Sequence, residues 1–423
     1  MAVVSSRREQ ANGQALERLY EAEPVLVDVR PAGEVVPGME RNMILASGAP
    51  MPWERYTGGQ RVGILGGAVF EGLARDLEDA DHKLHAGEIL VGACQDHGCI
   101  GSLAGIYTSS MPVFVVENAT HGNTAFCNFF EGPSPKRLNH GIWDEDVRES
   151  LLVIQDVIAP VVAEAVRRSD HGVPLRPIIR HALNMGDEPQ SRNTAATLLF
   201  ARDMFPLLLD VAEQLPSEVR RTYSFLAESV YFFLRLSMAA SKATADSIRD
   251  IEGSSVVSAM TFSCREFAVR VSGLGDRWFT GRLPHIEPKL FDGYTLDDVD
   301  YMGGESIINE TVGLGGFAQA AAFTLQAYQG DSPEQMVEMN RAMYGITLGE
   351  HPEYRLPYLG FRGVPIGIDV LKVVETGVTP VGDIGVAGRG GGQIGAGTLH
   401  APMECFQAAA TAWEERYGTG EAL

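Results

Sequence analysis

A stretch near the C-terminus, Gly382 to Gly397, contains eight glycines in sixteen residues. Glycine keeps side chains out of the way of the backbone and permits positive φ, so this density predicts a loop whose N–H groups can line an anion. Pro402 follows at a position that suits the start of a helix, which is predicted over residues 403–417. The stretch indicates an anion-binding loop that leads to a helix N-terminus. A surface loop without a ligand is an equally good interpretation. The candidate binding residues are Gly390, Gly392, Gly395 and Gly397.

The charge balance restricts the possible partners. The chain has 423 residues, with 34 Lys plus Arg against 55 Asp plus Glu, and a net charge of -21. Such a surface repels nucleic-acid backbones and anionic lipid, so we expect neither as a partner. A small anionic substrate requires a pocket in which arginines and backbone amides reverse the local field.

No segment predicts a membrane span or a secretion signal. The most hydrophobic stretch, residues 151–166, is interrupted by Gln155, Asp156 and Glu164, and a span needs about 18 to 20 apolar residues. The five cysteines are an odd number and indicate reduced thiols. Cys94 and Cys99 flank a histidine but lack a fourth ligand at zinc-site spacing. We therefore expect a cytoplasmic protein with no bound metal and no cofactor, and its acidic surface is compatible with an oligomer.

Hydrophobic periodicity divides the chain into three regions. Over residues 1–140, helices alternate with short apolar strands, as expected for an α/β domain. Over residues 141–250 the apolar residues recur at spacings of three and four, which indicates a helical domain. Over residues 251–423 the alternation typical of strands returns, with many glycine turns. We predict an α/β protein in which a small all-helical domain lies, in sequence, between two α/β domains.

Some finer predictions follow from the same patterns. A glycine-rich connection at 63–67 is expected to precede a helix over 68–79. A second, at 303–316, is expected to precede a helix over 317–328. Asp187 and Pro189 look like the N-cap and first turn of another helix.

Polar residues follow the apolar strand that ends near residue 116. Ligands of α/β sheets bind near the carboxyl ends of strands, so these side chains are candidates for a site. Asn118 and Asn123 can bind a carboxamide, since an amide donates and accepts at once. Glu117 and His121 are candidates for proton transfer. Turn formation by the asparagines is an alternative explanation.

Three arginines are candidates for holding an anion. Arg270 and Arg277 lie on either side of a tight Gly-x-Gly turn, and their guanidinium groups can bind phosphate or carboxylate with paired hydrogen bonds. Arg192 is predicted near a helix N-terminus, which also favours an anion. A surface ion pair between Asp276 and Arg277 would explain that segment without a ligand.

Six segments, in this order, resemble the YlbE-like, or AllG-like, family of bacterial nitrogen catabolism, and the likeness covers nearly the whole chain. The segment from Arg270 to Thr280 is the most specific of them. The six segments are 25–29, 115–118, 185–188, 270–280, 374–380 and 392–398.

The resemblance implies a subunit of oxamate carbamoyltransferase that works with an FdrA-like subunit and a third protein. The implied reaction converts oxalurate and phosphate to oxamate and carbamoyl phosphate, in allantoin breakdown. It also implies two α/β domains flanking a small helical one. The Ser-x-Arg-Thr-Arg phosphate motif of aspartate and ornithine carbamoyltransferases is absent, so a different scaffold or a partner would have to supply the phosphate site.

Two other interpretations stay open at this stage. An amidohydrolase that opens a ureide or cyclic amide would turn over without phosphate. A non-catalytic subunit would use the glycine loops as an interface with an FdrA-like partner. Under the transferase interpretation, Arg270, Arg277 and the C-terminal glycines form one pocket.

Overall fold

Helices form much of the structure, a computed structural model that describes the backbone of residues 2–418 and the side chains of residues 7–418. The α-helices of these residues are α1 (Ala2–Glu21), α2 (Ala32–Val35), α3 (Gly58–Phe70), α4 (Leu77–His85), α5 (Glu145–Val153), α6 (Ala159–Arg167), α7 (Leu175–Asn184), α8 (Thr194–Ala212), α9 (Pro216–Glu228), α10 (Phe233–Asp246), α11 (Ile308–Thr311), α12 (Gln326–Gln329), α13 (Pro333–Ile346), α14 (Val370–Thr376) and α15 (Met403–Tyr417).

The strands form several separate sheets. They are β1 (Pro24–Pro31), β2 (Met43–Ala46), β3 (Leu90–Ala93), β4 (Cys99–Ile100), β5 (Pro112–Asn118), β6 (Thr124–Asn128), β7 (Val173–Pro174), β8 (Val257–Phe262), β9 (Phe267–Val271), β10 (Phe279–Gly281), β11 (His285–Leu290), β12 (Val299–Asp300), β13 (Thr347–Leu356), β14 (Arg362–Ile368), β15 (Val381–Gly388) and β16 (Gln393–His400). The mixture of helices and several sheets is consistent with the predicted α/β class.

The largest sheet has the order β4-β6-β5-β1-β7. It is antiparallel except for the β4–β6 pair. Strand β1 pairs with β5 and β7, and one face of β1 packs into the main hydrophobic core through Leu26 and Val29. That core also contains Phe200 of α8 and Ile366 of β14, so its residues come from all three predicted regions. The domain boundaries at 140 and 250 remain a prediction.

The helical character predicted from residue 144 is present. Asp144 caps α5 by accepting the Val147 N–H at 3.0 Å, and a π-turn at Ile154–Ile158 joins α5 to α6. Helix α9 ends at Glu228, and the apolar run at 231–234 begins in the break after it and continues into the first two residues of α10. The helix predicted from residue 188 begins at Thr194 instead. Asp187 still caps it, from outside the first turn, because its Oδ2 accepts the Ala196 N–H at 2.9 Å.

The predicted glycine loop at 382–397 is wrong. These residues form the β15–β16 hairpin, within a sheet of order β11-β16-β15-β12. The glycines here allow close packing: a Cβ at Gly395 would lie 2.6 Å from the Lys289 carbonyl oxygen of β11, and one at Gly397 would lie 2.3 Å from that of Glu287. Only the turn uses positive φ, at Gly391 and Gly392. The helix predicted after this segment is confirmed as α15.

The predictions made at two other glycine-rich segments are wrong as well. Residues 63–67 lie in the interior of α3, which ends at Phe70. Glycine is needed there for close packing, because Cβ atoms at Gly66 and Gly67 would overlap Trp143 and Ile106. The helix predicted over 317–328 is a series of short turns followed by α12. No described helix is both long and apolar enough to cross a bilayer.

Candidate active site

A partly open cavity lies between α10, the turn at 137–140, the segment before α8 and the β15–β16 hairpin. Its volume is about 60 Å³. A single water needs about 10 to 15 Å³ on this measure, so the space suits a molecule of roughly four to six non-hydrogen atoms. The ionisable side chains of arginine, histidine and aspartate in its lining are those of Arg137, His140, Arg235 and Asp383. A small polar molecule is the ligand that such a lining favours.

One side of the cavity carries hydrogen-bond donors that have no partner. Arg235, on α10, is 1% exposed, and its Nε and Nη1 have no hydrogen-bond partner. Among the described residues no carboxylate lies within ion-pair distance of it. Its guanidinium interacts with the buried Cys127 thiol. An unpaired buried charge costs several kcal/mol, so this arrangement needs a compensating anion.

Arg137 and His140 extend the donor side. Arg137 donates to the Gly132 carbonyl oxygen at 2.7 Å and, from Nη1, to His140 Nε2 at 3.4 Å. Its Nε has no partner. Burial, together with the nearby Arg235, lowers the pKa of Arg137 to about 10. This pKa still leaves Arg137 charged at neutral pH.

The His140 ring completes this side as a neutral donor. Burial and the charges of Arg137 and Arg235 hold the His140 pKa well below its usual value. Because Nε2 accepts from Arg137, the proton of the neutral ring is assigned to Nδ1, which has no partner. The residues that line the cavity therefore carry imidazole and guanidinium N–H groups that no protein atom uses.

A buried carboxylate shapes the turn that carries these side chains. Glu131 accepts the N–H groups of Leu138 and Asn139 at 2.6 and 2.9 Å, and the Asn139 side-chain amide at 2.7 Å. The turn closes at Gly141 with φ 72°. From the hairpin, the Gly392 N–H donates to the His140 carbonyl oxygen at 2.7 Å. Two distant parts of the chain thus fix the position of His140.

A second group of lining residues, called the acceptor side below, carries acceptors. Asp383, fully buried on β15, accepts the side-chain amide of Gln329 at 2.9 Å and that of Gln319 at its Oδ1. Its Oδ2 has no partner. Gln190 donates to Glu310 Oε1 at 3.0 Å and to the Asp383 carbonyl oxygen, and this leaves its own Oε1 without a partner.

Further acids surround Asp383. Glu310 is fully buried and accepts the N–H groups of Gly316 and Asp383 at 2.9 and 3.0 Å. Burial raises the pKa of Glu310 and of Glu188 well above the usual range, and the charge of Asp383 adds to both shifts. Burial, with the nearby Asp331, raises the pKa of Asp383 to about 7. Asp383 thus titrates near neutral pH, as a proton-transfer group does.

The structure places the predicted strand-end residues outside this cavity. Asn118 and Asn123 both donate to the Ala243 carbonyl oxygen, at 3.3 and 2.7 Å, and so join β5 and the following turn to α10. Glu117 is exposed and lines a larger, open depression. The Nε2 of His121 is buried without a partner. The four predicted strand-end residues lie close together in the chain, but none of them lines the cavity between α10 and the β15–β16 hairpin.

Two of the three predicted arginines, Arg270 and Arg277, also lie outside the lining of the cavity. Arg270 is bound to Asp96, stacks on Trp278 at 4.0 Å, and donates to the Asp276 carbonyl oxygen at 3.1 Å. Arg277 is exposed and lies 4.6 Å from the Phe279 ring.

Arg192 and the C-terminal glycines lie next to cavity residues. Arg192 contacts Asp187 at 3.3 Å and follows the cavity residue Ser191. Gly392 contacts His140, while Gly395 accepts a hydrogen bond from Gln393, which lines the cavity. Gly390 and Gly397 lie in the same hairpin, outside the lining.

A family model described as oxamate carbamoyltransferase subunit AllG matches residues 89–306. An Escherichia coli K12 protein named oxamate carbamoyltransferase subunit AllG is 36% identical over 417 residues, which cover 97% of this chain and 99% of that protein. The chain belongs to the AllG family. The resemblance inferred from the sequence segments is thereby confirmed.

Two further proteins similar to this AllG family member have names that state no function. The E. coli K12 protein named uncharacterized protein YahG is 40% identical over 410 residues, covering 96% of this chain and 86% of that protein. A crystal structure of a conserved protein of unknown function from Enterococcus faecalis V583 has a TM-score of 0.95 and 36% identity. It covers 97% of this chain and 99% of that one. Arg137, His140 and Arg235 lie inside the segment that the AllG model matches, and Asp383 lies beyond it.

No cation site is found in the described residues. No group of three or more His, Cys, Asp or Glu side chains there is arranged to hold a metal ion. The five cysteines are buried and unpaired, and burial raises the pKa of the Cys94 and Cys99 thiols. Thiolate chemistry at these positions is therefore disfavoured.

Proposed function

We propose that this chain is a subunit of a carbamoyltransferase that converts oxalurate and phosphate to oxamate and carbamoyl phosphate. We also propose that the cavity lined by Arg137, Arg235 and Asp383 binds a small anion of this reaction. Family membership supports the reaction class. The observation that carries the proposal is the set of unpartnered N–H groups of Arg137 and Arg235, two residues that line a cavity inside a protein of net charge -21. Oxamate and phosphate are anions of the size that this space admits, whereas oxalurate and carbamoyl phosphate are larger and extend beyond it.

The proposed chemistry needs one proton transfer. A phosphate oxygen forms a bond to the ureido carbonyl carbon of oxalurate, and the bond from that carbon to the oxamate nitrogen breaks. The leaving nitrogen gains a proton, and hydrogen phosphate loses one. Asp383, with a free Oδ2 and a pKa of about 7, is our candidate to relay this proton. Glu117 and His121 remain predictions for the same role.

The donor side would also stabilise charge as the reaction proceeds. Oxygen on the attacked carbonyl becomes negative in the transition state, and preset N–H donors in a water-poor site lower the barrier. Removing one such donor costs roughly 3 to 4 kcal/mol, or a hundredfold to a thousandfold in rate. His140 Nδ1 and the Arg137 guanidinium are candidates for that donor. The prediction of anion binding by Arg192, Arg270 and Arg277 stays open to the same test.

We further propose that the active enzyme contains an FdrA-like subunit and a third protein, and that a second copy of this chain is compatible with the assembly. The E. coli relative is named a subunit, which supports a complex. The free buried thiols agree with a reducing compartment, and we propose the cytoplasm.

The test is a phosphorolysis assay on oxalurate with this chain alone and with its co-purifying partners. We expect carbamoyl phosphate to form in a phosphate-dependent way, and Arg235→Met to reduce its formation at least a hundredfold. Oxamate released without a phosphate requirement would instead show an amidohydrolase. An Arg235→Met complex that assembles and turns over normally would show that this cavity is not the site.

A further inference from the structure

The two sides of the cavity differ in what they can bind. At the donor side, unpartnered N–H groups of Arg137, His140 and Arg235 require an acceptor, and a carboxylate or phosphate oxygen satisfies them. At the acceptor side, the unpartnered atoms are oxygens, Asp383 Oδ2 and Gln190 Oε1. An acceptor oxygen needs a donor from the ligand, and an ionised carboxylate has none.

The orientation of the side-chain amides on the acceptor side is fixed by their neighbours. Gln319 and Gln329 both direct Nε2 at Asp383 Oδ1, and Gln190 directs Nε2 at Glu310 Oε1 and at a carbonyl oxygen. Turning any of these amides over would place oxygen against oxygen. The amide N–H groups that face Asp383 and Glu310 are therefore committed to protein acceptors, and the atoms that Asp383 and Gln190 leave unpartnered are oxygens.

The negative charge on this side adds to the selection. Asp383 is fully buried, and no cationic side chain of the described residues forms an ion pair with it. A second carboxylate placed against its Oδ2 would meet like charge in a site of low polarity. An uncharged NH2 group would instead donate to Oδ2 and Gln190 Oε1.

We infer that the acceptor side is a subsite for a primary amide, formed by Asp383 and Gln190, so that the cavity selects a small molecule with an anionic group at one end and an NH2 group at the other and rejects dicarboxylates. The inference rests on the proposed function and specifies which end of oxamate lies against which group of lining residues. It makes Asp383 a determinant of specificity in addition to its proposed part in proton transfer.

Three ligands of nearly equal size test this subsite in the wild-type complex. Oxamate, oxalate and pyruvate share a carboxylate next to a carbonyl carbon, and differ in carrying NH2, O⁻ or CH3 at the other position. Titration calorimetry at pH 8 should show oxamate binding at least tenfold more tightly than either of the others, since each of the others leaves buried acceptors without a donor. Equal affinity for oxamate and pyruvate would overturn the inference.

The variant Asp383→Asn tests the residue itself. Its amide can direct a donor at the ligand, so the ratio of oxamate to oxalate affinity should fall at least tenfold. Asp156→Asn, at an exposed position on the π-turn, is the control for loss of one negative charge and should leave the ratio unchanged. The wild-type ligand series decides the matter if Asp383→Asn does not fold.

The outcomes separate this inference from the proposed function. If oxamate binds and supports turnover but Asp383→Asn keeps the wild-type ratio, the amide subsite is refuted and the carbamoyltransferase proposal stands. If the wild-type complex binds none of the three ligands, both are refuted.

Discussion

Replacing Arg235 by methionine should weaken anion binding and stabilise the fold at the same time. Methionine has a similar length and no charge, so it fills the space among the apolar residues of α10. In the wild-type protein the guanidinium is 1% exposed with Nε and Nη1 unpartnered. Its burial opposes folding, and its purpose in our account is to bind a ligand.

The magnitudes follow from these contacts. Two charge-assisted hydrogen bonds at about 1.5 to 3 kcal/mol each correspond to a loss of about a hundredfold to ten-thousandfold in oxamate affinity. Removal of the unpaired buried charge should stabilise the protein by roughly 1 to 4 kcal/mol. Titration calorimetry measures the first effect, and thermal unfolding without ligand measures the second.

Lys242 on the same helix provides the matched control. It is fully buried like Arg235, but its ammonium is paired with Asp246 at 2.6 Å. Lys242→Met leaves a carboxylate without its partner and should destabilise the protein by about 3 to 5 kcal/mol. If Arg235→Met lowers the unfolding temperature as Lys242→Met does and leaves oxamate affinity within twofold of wild type, Arg235 is structural and our reasoning is wrong.

Three further predictions concern other parts of the account. Because the pKa of Asp383 is about 7, oxamate affinity should fall and oxalate affinity should rise as the pH drops from 8 to 6, and parallel pH profiles in calorimetry would contradict its role. Glu131→Gln replaces an acceptor of three hydrogen bonds and should lower the free energy of unfolding, measured with denaturant, by about 1 to 3 kcal/mol. An unchanged denaturation midpoint would show that the 137–140 turn does not need the Glu131 carboxylate. Gly395→Ala places a Cβ 2.6 Å from a backbone oxygen of β11 and should destabilise by about 1 to 3 kcal/mol. Gly390→Ala, with open space around it, should be neutral, and equal unfolding temperatures for these two variants would refute the packing argument.

Two helices were predictable because their signals are local. The apolar spacing after Asp144 and the position of Pro402 each mark a helix that the structure contains, α5 and α15. The hairpin was not predictable in the same way. Glycine density indicates freedom of the backbone, whereas Gly395 and Gly397 serve the close approach of β11, and one sequence does not distinguish the two uses.

The cavity was harder to predict because its donors and acceptors are far apart in the chain. Arg137 and Arg235 look like ordinary charged residues in sequence, and their significance comes from buried N–H groups that have no partner. One local signal does exist: Arg235 directly follows the apolar run at 231–234, where a charge is costly. Asp383 had a similar signal as an acidic residue within a glycine-rich apolar stretch. Arg270, by contrast, matched the sequence pattern of an anion-binding arginine, but its guanidinium forms an ion pair with Asp96.

The central claim is that a small anion with an amide group binds between Arg235 and Asp383. A crystal structure of the assembled complex with oxamate tests it most directly. We predict density for the carboxylate against the guanidinium groups of Arg137 and Arg235, with the amide nitrogen within hydrogen-bond distance of Asp383 Oδ2. Oxamate bound elsewhere on this chain or on a partner subunit, with this cavity holding only water, would contradict the account.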